Sequence, residues 1–257
     1  MNDRPGVEAN RVLAAHGIIG YPAEHLQAIA DAEKIKVLFY SIDDEPDFGG
    51  QLIYRGEKVG ILVNTCIPNA GKHNFTFGHE LGHYFLHHAP AYTMDGQSGF
   101  RCSRADIESS IRPQEMEANR FASALLMPTD LFRLAMAGSV LDYTLIANLA
   151  REFRVSKHAS CNRLLELTKD PYIVIRSQGY QITEIRTSAA VRCKLSFLKS
   201  IPAGTYAHEA ITEHKNQDVF IKSNVVKWLS GSSLPLHLYE CTRGSWTDNV
   251  SMTILRW

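Results

Sequence analysis

The spacing of apolar residues predicts helices first and then a small sheet in the opening part of the chain. Residues 7–16 and 22–33 have apolar positions three and four apart, which predicts two helices. The run 35–40 is β-prone, and two further β-prone runs at 50–55 and 58–64 flank a two-residue turn. These runs predict three strands, the last two of which form a hairpin.

The most regular helical pattern covers Phe75–His88, which reads FTFGHELGHYFLHH. Asn74 is the predicted N-cap, because an Asn side chain accepts hydrogen bonds from the first free backbone N–H groups of a helix. At about 100° per residue, the apolar side chains of this helix fall on one side and the polar ones on the other. The polar side carries His79, Glu80, His83 and His87.

Three of these polar residues, His79, Glu80 and His83, form a His-Glu-x-x-His pattern. Residues four apart on a helix lie on one face about 6 Å apart along the axis, so the two imidazoles can hold one Zn²⁺. The glutamate beside the first histidine then points at the metal-bound water. The pattern predicts His79 and His83 as metal ligands and Glu80 as the general base of a zinc-dependent peptidase.

A catalytic zinc site needs a third protein ligand from elsewhere in the chain. The metzincin arrangement requires a Gly and a His at the positions of Leu86 and Ala89, so it is excluded. His87 lies one turn beyond His83 on the same helix and cannot easily reach a metal held by His79 and His83. A later helix must therefore supply the ligand.

The helix predicted at residues 113–127 carries two glutamates near its apolar stripe. A carboxylate in such a place is costly unless it binds something. Glu117 is the predicted third ligand, because it lies deeper in the helix. Glu115 stays the alternative, since the helix dipole alone explains a carboxylate in a first turn.

Residues 89–112 contain Pro, Gly and Ser without a sustained period and are predicted to form a loop over the site. A second donor would stabilise the oxyanion during peptide hydrolysis, and Tyr92, His158 and Arg163 are the candidates. The sheet beside the metal helix is expected to hold an extended substrate at its free edge.

The rest of the chain has helical patterns up to about residue 170 and short β-rich runs after it. Residues 130–138 are predicted to be helical, and residues 142–168 to form a helix, a turn and a second helix. From Tyr172 onward the chain has short β-rich runs, one of them at 205–212. We predict an α+β fold with a peptidase domain at 1–140, a helix-turn-helix-like segment at 141–170 packed on it, and a β-rich domain of unknown role at 171–257.

Composition narrows the classes of protein that remain. Hydrophobic residues make up 45% of the chain and charged residues 21%, which supports a globular core. Lys+Arg and Asp+Glu are both 27, so nothing favours a nucleic-acid or membrane surface as the main partner. The 5 cysteines form no Cys-x-x-Cys pair, and the sequence has neither a signal-peptide pattern nor a membrane-length apolar run. We therefore expect a cytoplasmic protein.

Two motifs in order give the chain a family resemblance. The run GILVNTCIPNAGKHNFTFGHELGHYFLHH, followed by EMEANRFASALLMP, resembles the ImmA/IrrE family of metallopeptidases over residues 20–168. The resemblance implies a gluzincin-like fold with His79, His83 and Glu117 as metal ligands and Glu80 as general base. It also implies a protein substrate, since several members cut a helix-turn-helix repressor and so lift repression of stress-response genes.

The segment LAREFRVSKHASCNRLLEL looks like the helix-turn-helix part of that family but departs from a DNA reader. Arg154 stands at the turn position that normally has Gly, and the second helix mixes Lys157 and Arg163 with Glu166. We expect this segment to pack against the peptidase core and not to bind DNA directly.

The leading hypothesis is a zinc endopeptidase that cleaves a regulatory protein, such as a helix-turn-helix transcriptional repressor. Mn²⁺ or Fe²⁺ also suits two histidines and a carboxylate. The alternative is a metal-binding transcription regulator or sensor without proteolysis, whose structural site would need four protein ligands and no base. A third possibility is a peptidase that acts on short peptides in general.

Overall fold

The chain divides into two units, of which the first combines helices with a sheet and the second is mainly β. The computed structural model describes residues 3–94, 97–109, 112–195, 199–231 and 234–257. Unit 1 comprises Met1–Ser139 and Ile146–Ser160, and unit 2 comprises Val140–Leu145 and Cys161–Trp257. The residues of the predicted segment 141–170 are thus shared between the two units.

Unit 1 opens with helices and strands close to those predicted. Helix α1 (Arg4–Ala15), a 3-10 turn (Pro22–Glu24) and helix α2 (Leu26–Ala32) come first. The helix predicted at 22–33 is therefore split in two. Strands β1 (Ile35–Tyr40), β2 (Phe48–Arg55) and β3 (Lys58–Asn64) follow and include the predicted hairpin.

Helix α3 (Ala70–Phe85) begins earlier than predicted. Its N-cap is Asn69, whose side chain accepts a hydrogen bond from the Lys72 backbone N–H at 3.0 Å. The predicted cap, Asn74, lies inside the helix and donates from Nδ2 to Arg154 O at 2.9 Å. The extra turn lies at the N-terminal end, so the His-Glu-x-x-His segment occupies the second half of α3 and His83 is two residues from its last residue, Phe85.

The loop predicted at 89–112 was wrong for most of its length. The described residues there form strands β4 (Tyr92–Met94) and β5 (Gln97–Ser103) and helix α4 (Arg104–Ser109), while residues 95–96 and 110–111 lie outside the described part. Phe100 and Cys102 are buried on either side of exposed Arg101. This alternation of a half-buried strand is short, and the neighbouring Gly and Ser residues conceal it.

The sheet of unit 1 has five strands in the order β1-β3-β2-β5-β4. Strands β1 and β3 are parallel, and the other neighbours are antiparallel. Strand β2 lies inside the sheet and is paired on both sides, so it offers no free edge to a substrate in this structure, and the edge strands are β1 and β4.

Helix α5 (Pro113–Leu126) packs against α3 at very short range. A Cβ added at Gly82 would lie 3.1 Å from Ala118 Cα and 3.2 Å from Phe121 Cβ. One turn earlier, a Cβ at Gly78 would lie 3.4 Å from Ala122 Cβ, an ordinary contact. The two helix backbones can approach this closely because small residues face each other.

Three further helices, α6 (Thr129–Met136), α7 (Tyr143–Glu152) and α8 (Lys157–Leu167), complete the helical part of the chain. Between α7 and α8, Arg154 has a left-handed backbone with φ 52°, the conformation that usually calls for Gly. Its guanidinium lies 2.6 Å from the Glu24 carboxylate. A Cβ added at Gly71 would lie 2.3 Å from Val155 C, so this turn packs directly on the start of α3.

Unit 2 is built on an antiparallel sheet, in agreement with the predicted β-rich part. Its five-stranded sheet has the order β7-β6-β12-β11-β9, and β8 pairs separately with β10. The elements are β6 (Tyr172–Gln178), β7 (Gln181–Thr187), β8 (Lys194–Leu195), α9 (Tyr206–Glu213), β9 (Gln217–Ser223), α10 (Val225–Trp228), β10 (Leu229–Ser230), β11 (Leu238–Ser245) and β12 (Val250–Arg256).

The β-rich run predicted at 205–212 was wrong, because these residues form helix α9. Thr205 caps the helix, accepting on Oγ1 from the His208 backbone N–H at 3.2 Å. Ala207 and Ile211, four apart, join the buried cluster that contains Trp228. Within the part of the chain that the structure describes, no helix has the length and apolar character needed to cross a membrane.

Substituting the two glycines of α3 separately will test the close contact with α5. Gly82→Ala should lower the free energy of unfolding, because overpacking costs about 1–3 kcal/mol and exceeds the ~1 kcal/mol that Ala gains over Gly in a helix. Gly78→Ala should be neutral or stabilising by up to ~1 kcal/mol. Urea unfolding followed by circular dichroism measures both, and an equal effect at the two positions would contradict the packing described.

Candidate metal centre

The polar side of α3 brings two imidazoles together in the interior of unit 1. The Nε2 atoms of His79 and His83 lie 3.1 Å apart, and neither side chain is exposed to solvent. Helix periodicity places them one turn apart on the same face, as the sequence predicted.

A carboxylate from α5 meets both histidines, and it belongs to Glu115. Glu115 Oε2 lies 3.0 Å from His79 Nε2 and 3.4 Å from His83 Nε2, and the residue is 3% exposed. Glu117, the predicted third ligand, points elsewhere: its Oε2 lies 3.0 Å from His88 Nε2, and its side chain is 38% exposed. Two residues along a helix turn the side chain by about 200°, so only one of the two glutamates can face α3.

Cys102 of β5 supplies a fourth donor atom, which the sequence did not predict. Its Sγ lies 3.3 Å from His79 Nε2, 3.7 Å from His83 Nε2 and 3.5 Å from Glu115 Oε2. All four residues are buried, and their donor atoms lie within 4.8 Å of one another. We refer to these four residues as the ligand cluster. Burial, followed by the charges of Glu80 and Glu115, raises the pKa of the Cys102 thiol.

The orientation of His79 is fixed by an amide. His79 Nδ1 lies 2.9 Å from Asn119 Oδ1, and Asn119 Nδ2 in turn donates to Asp106 O at 3.0 Å. Because the amide oxygen only accepts, His79 Nδ1 must be the donor, so the neutral ring carries its lone pair on Nε2, towards the cluster. Burial lowers the pKa of His79, but the hydrogen bond to Glu115 and the charge of Glu80 outweigh it and raise the pKa, so a cation has to displace a proton from this ring. Asn119 follows Glu115 by four residues, a spacing that puts both on one face of α5.

The end of α3 brings His88 back onto His83. His87 is exposed and left-handed with φ 53°, and the His88 backbone N–H donates to His83 O at 3.2 Å. The chain reversal places the Nδ1 atoms of His83 and His88 2.9 Å apart. His87 therefore ends the helix and does not extend its ligand face.

Glu117 acts on His83 through His88. Its carboxylate accepts from His88 Nε2, so a neutral His88 presents Nδ1 as the acceptor for the His83 Nδ1–H group. Burial lowers the pKa of His88 and lowers that of His83 to about 4, which favours the neutral form of both rings. The lone pair of His83 Nε2 is thereby directed at the ligand cluster.

Glu80 is buried next to the ligand cluster without a hydrogen-bond partner. Its residue is 0% exposed, and neither carboxylate oxygen has a hydrogen bond of regular geometry among the described residues. The Cys102 thiol and the Leu52 backbone lie close enough to oppose part of the rise in its pKa. A Cβ added at Gly50 would lie 3.0 Å from Glu80 Oε1, so only a glycine on β2 leaves room there. Burial raises the pKa of Glu80 from its ordinary value of 4.5 to about 7. A buried, unpaired carboxylate with such a pKa is typical of a functional group.

The family model of the M78 peptidases, described as the IrrE N-terminal-like domain, matches residues 30–165. The chain belongs to this family. The match covers more than half of the 257 residues and confirms both the resemblance and the gluzincin-like α+β fold of the M78 part. The family is one of peptidases, and the ligand cluster has the composition of a metal site.

A solved structure shares the fold along almost the whole chain. A Mycobacterium tuberculosis transcriptional regulator is similar with a TM-score of 0.55, covering 98% of this chain and 76% of its own. The identity is 16%, so the likeness concerns the fold alone. A comparison with curated proteins finds no match.

The three candidates for an oxyanion donor, Tyr92, His158 and Arg163, keep that role only as a prediction. The side chain of Tyr92 lies outside the described residues. Arg163 donates to the Glu166 carboxylate at 2.8 Å within α8. His158 lies on the same helix, one residue after its start at Lys157.

The free energy of unfolding of the metal-free protein should depend on pH through Glu80. Its pKa is higher in the folded state, so the folded protein binds more protons and the free energy of unfolding falls as pH rises from 4.5 to about 7. Relative to Glu80→Gln, wild type should lose about 3 kcal/mol over this range. Urea unfolding of both proteins at several pH values with a chelator measures this, and parallel curves would contradict it.

Proposed function

We propose that this M78 protein is a metal-dependent endopeptidase that cleaves a regulatory protein. His79, His83 and Glu115 hold the metal in this proposal, with Glu115 in place of Glu117, and Glu80 is the general base. The single observation that carries it is the buried, unpaired Glu80 carboxylate next to a cluster of donor atoms aimed at one point. Leaving such a carboxylate unpaired costs several kcal/mol unless a cation or a substrate group compensates it.

The donor set fits a divalent cation. The hydrogen bonds at Nδ1 of His79 and His83 direct both Nε2 lone pairs to the same point as the Glu115 carboxylate. Imidazole, carboxylate and thiol donors together favour Zn²⁺, and the two histidines with a carboxylate also accept Mn²⁺ or Fe²⁺.

The chemistry assigned to the chain is proton transfer and orientation. A divalent cation bound here would polarise the scissile carbonyl and acidify the attacking water. Glu80 accepts the proton of that water and then delivers it to the leaving amine. The carboxyl must gain and lose a proton in turn, and burial helps it to hold that proton because burial raises its pKa. Asn119, His88 and Glu117 hold the imidazoles in place meanwhile.

The substrate we propose is a helix-turn-helix transcriptional repressor. Membership of the M78 family, together with the fold shared with a transcriptional regulator, supports a place in gene regulation. Direct binding to DNA is not part of the proposal, because Arg154 and Val155 at the turn between α7 and α8 are engaged by Glu24 and α3. A cytoplasmic location stays a prediction from the cysteine pattern.

A second candidate is a metal-dependent regulator or sensor without proteolysis. The observation that favours it is Cys102, which raises the number of donor atoms to the four that a structural site requires. The unpaired Glu80 favours the peptidase, because a structural site has no use for a buried base.

The metal affinities of two variants should distinguish the roles of Glu115 and Glu117. Glu115→Ala should weaken binding by more than roughly a hundredfold, because it removes a ligand, whereas Glu117→Ala should cost roughly tenfold, because it only releases His88. Competition against a chromophoric chelator measures both affinities. A larger loss in Glu117→Ala than in Glu115→Ala would overturn the proposed ligand set.

Cleavage should depend on Glu80. Wild type co-expressed with a repressor encoded beside its gene should cut it, while Glu80→Gln should cut roughly 10²–10⁴ times more slowly with metal still bound. Glu57→Gln, an exposed change on the hairpin turn, is the matched control and should behave as wild type. If wild type binds metal and leaves every candidate repressor intact, the result favours the second candidate function, a regulator without proteolysis.

A further inference from the structure

The four donor atoms of the ligand cluster form a nearly regular tetrahedron. The three separations among the two Nε2 atoms and Glu115 Oε2 are 3.0, 3.1 and 3.4 Å. The three separations that involve Cys102 Sγ are 3.3, 3.5 and 3.7 Å. A tetrahedral Zn²⁺ with its usual bond lengths needs roughly 3.3 Å between N or O donors and roughly 3.6 Å from these to a sulfur. The six distances follow this order, with the sulfur edges the longer ones on average.

We propose that Cys102 is a fourth metal ligand and that the site is closed to the attacking water in this conformation. The inference rests on the proposed function, whose ligand set it extends by one residue. A catalytic zinc site keeps one position open, and here the thiolate sulfur takes that position. With the sulfur in that position, Glu80 would have no metal-bound water to deprotonate.

The strand that carries Cys102 also covers the neighbourhood of the base. Strand β5 runs antiparallel to β2, and Cys102 lies directly opposite Gly50. Gly50 is the residue whose Cβ would come within 3.0 Å of Glu80 Oε1. An extended substrate that paired with β2 beside Glu80 would need the place that β5 occupies. Strand β5 therefore occupies both the proposed fourth metal position and the side of β2 nearest Glu80.

A cavity adjoins Cys102 on the side away from α3. It has a volume of about 520 Å³, and its walls include Glu45, Arg101, Cys102, Asp106 and Arg112. The cavity leaves open space beside the Cys102 end of β5. If Sγ moved away from a bound cation, a water could take the freed position and pass a proton to the thiolate, which would leave a neutral thiol on β5.

Two measurements on the intact protein test the fourth ligand. X-ray absorption of the zinc-loaded wild type should show one sulfur neighbour at about 2.3 Å, and this needs no variant. The cobalt-loaded wild type should show a thiolate-to-cobalt charge-transfer band. The band should be lost in Cys102→Ala with one cobalt still bound, and kept in Cys193→Ala, a half-buried cysteine of unit 2. Cys102→Ser replaces Cys102→Ala if the latter fails to fold.

The result that overturns the inference is a metal-loaded wild type with no sulfur neighbour, or a charge-transfer band that persists when Cys102 is replaced. Cleavage separates this from the proposed function. If the sulfur is bound and Cys102→Ala still cuts no repressor, the fourth ligand stands and the peptidase proposal fails. If Glu80-dependent cleavage occurs without a sulfur neighbour, the peptidase stands and the closed site fails. If both hold, Cys102→Ala should cleave faster than wild type, because it leaves the fourth metal position open to water.

Discussion

The site depends on how closely α3 and α5 approach each other. Gly82 on α3 leaves no room for even a methyl group against Ala118 and Phe121 on α5. At this separation the Glu115 carboxylate spans the gap to His79 and His83, while Asn119, one turn further along α5, reaches the other side of the His79 ring. A wider separation would leave a buried carboxylate and two buried imidazoles without partners, so small residues at the contact and donor atoms at the centre form one arrangement.

The polar groups around the centre form two chains that end at the surface. One runs from His79 through Asn119 to the backbone of α4, and the other from His83 through His88 to the half-exposed Glu117. In each chain the terminal acceptor decides which nitrogen carries the proton, and the ring nitrogen facing the centre is left free. Burial lowers the pKa of His83 and His88 and so favours the neutral rings that a cation requires. Asn119, His88 and Glu117 are not proposed metal ligands, but their hydrogen bonds set which nitrogens of His79 and His83 carry protons.

The sequence was sufficient where the information is local and insufficient where it depends on docking. The spacing of His79, Glu80 and His83 determines their common helix face, which was predicted, whereas their complete burial was not. Glu117 was preferred because it lies deeper along α5. The ligand is decided instead by which face of α5 packs against α3. Asn119 offered the missing signal, since it shares a face with Glu115 and not with Glu117. Strand β5 was not predicted because its buried alternation is only three residues long. Helix α9 was predicted as a strand because its short apolar run fits a strand or a helix.

The buried Glu80 bears on what a four-ligand centre is for. A site that only stabilises the fold would gain by replacing this carboxylate with an apolar side chain, because a buried, unpaired carboxylate raises the free energy of the folded state by several kcal/mol. The glycine at position 50 makes the space for Glu80, so two positions on separate elements accommodate a group that contributes nothing to stability. Cys102 accounts for the fourth tetrahedral position and Glu80 for a reaction that requires the same position to be vacated. The proposed centre, which carries both, would be that of a peptidase in a closed conformation, whose fourth metal position must be vacated before a peptide can be cut.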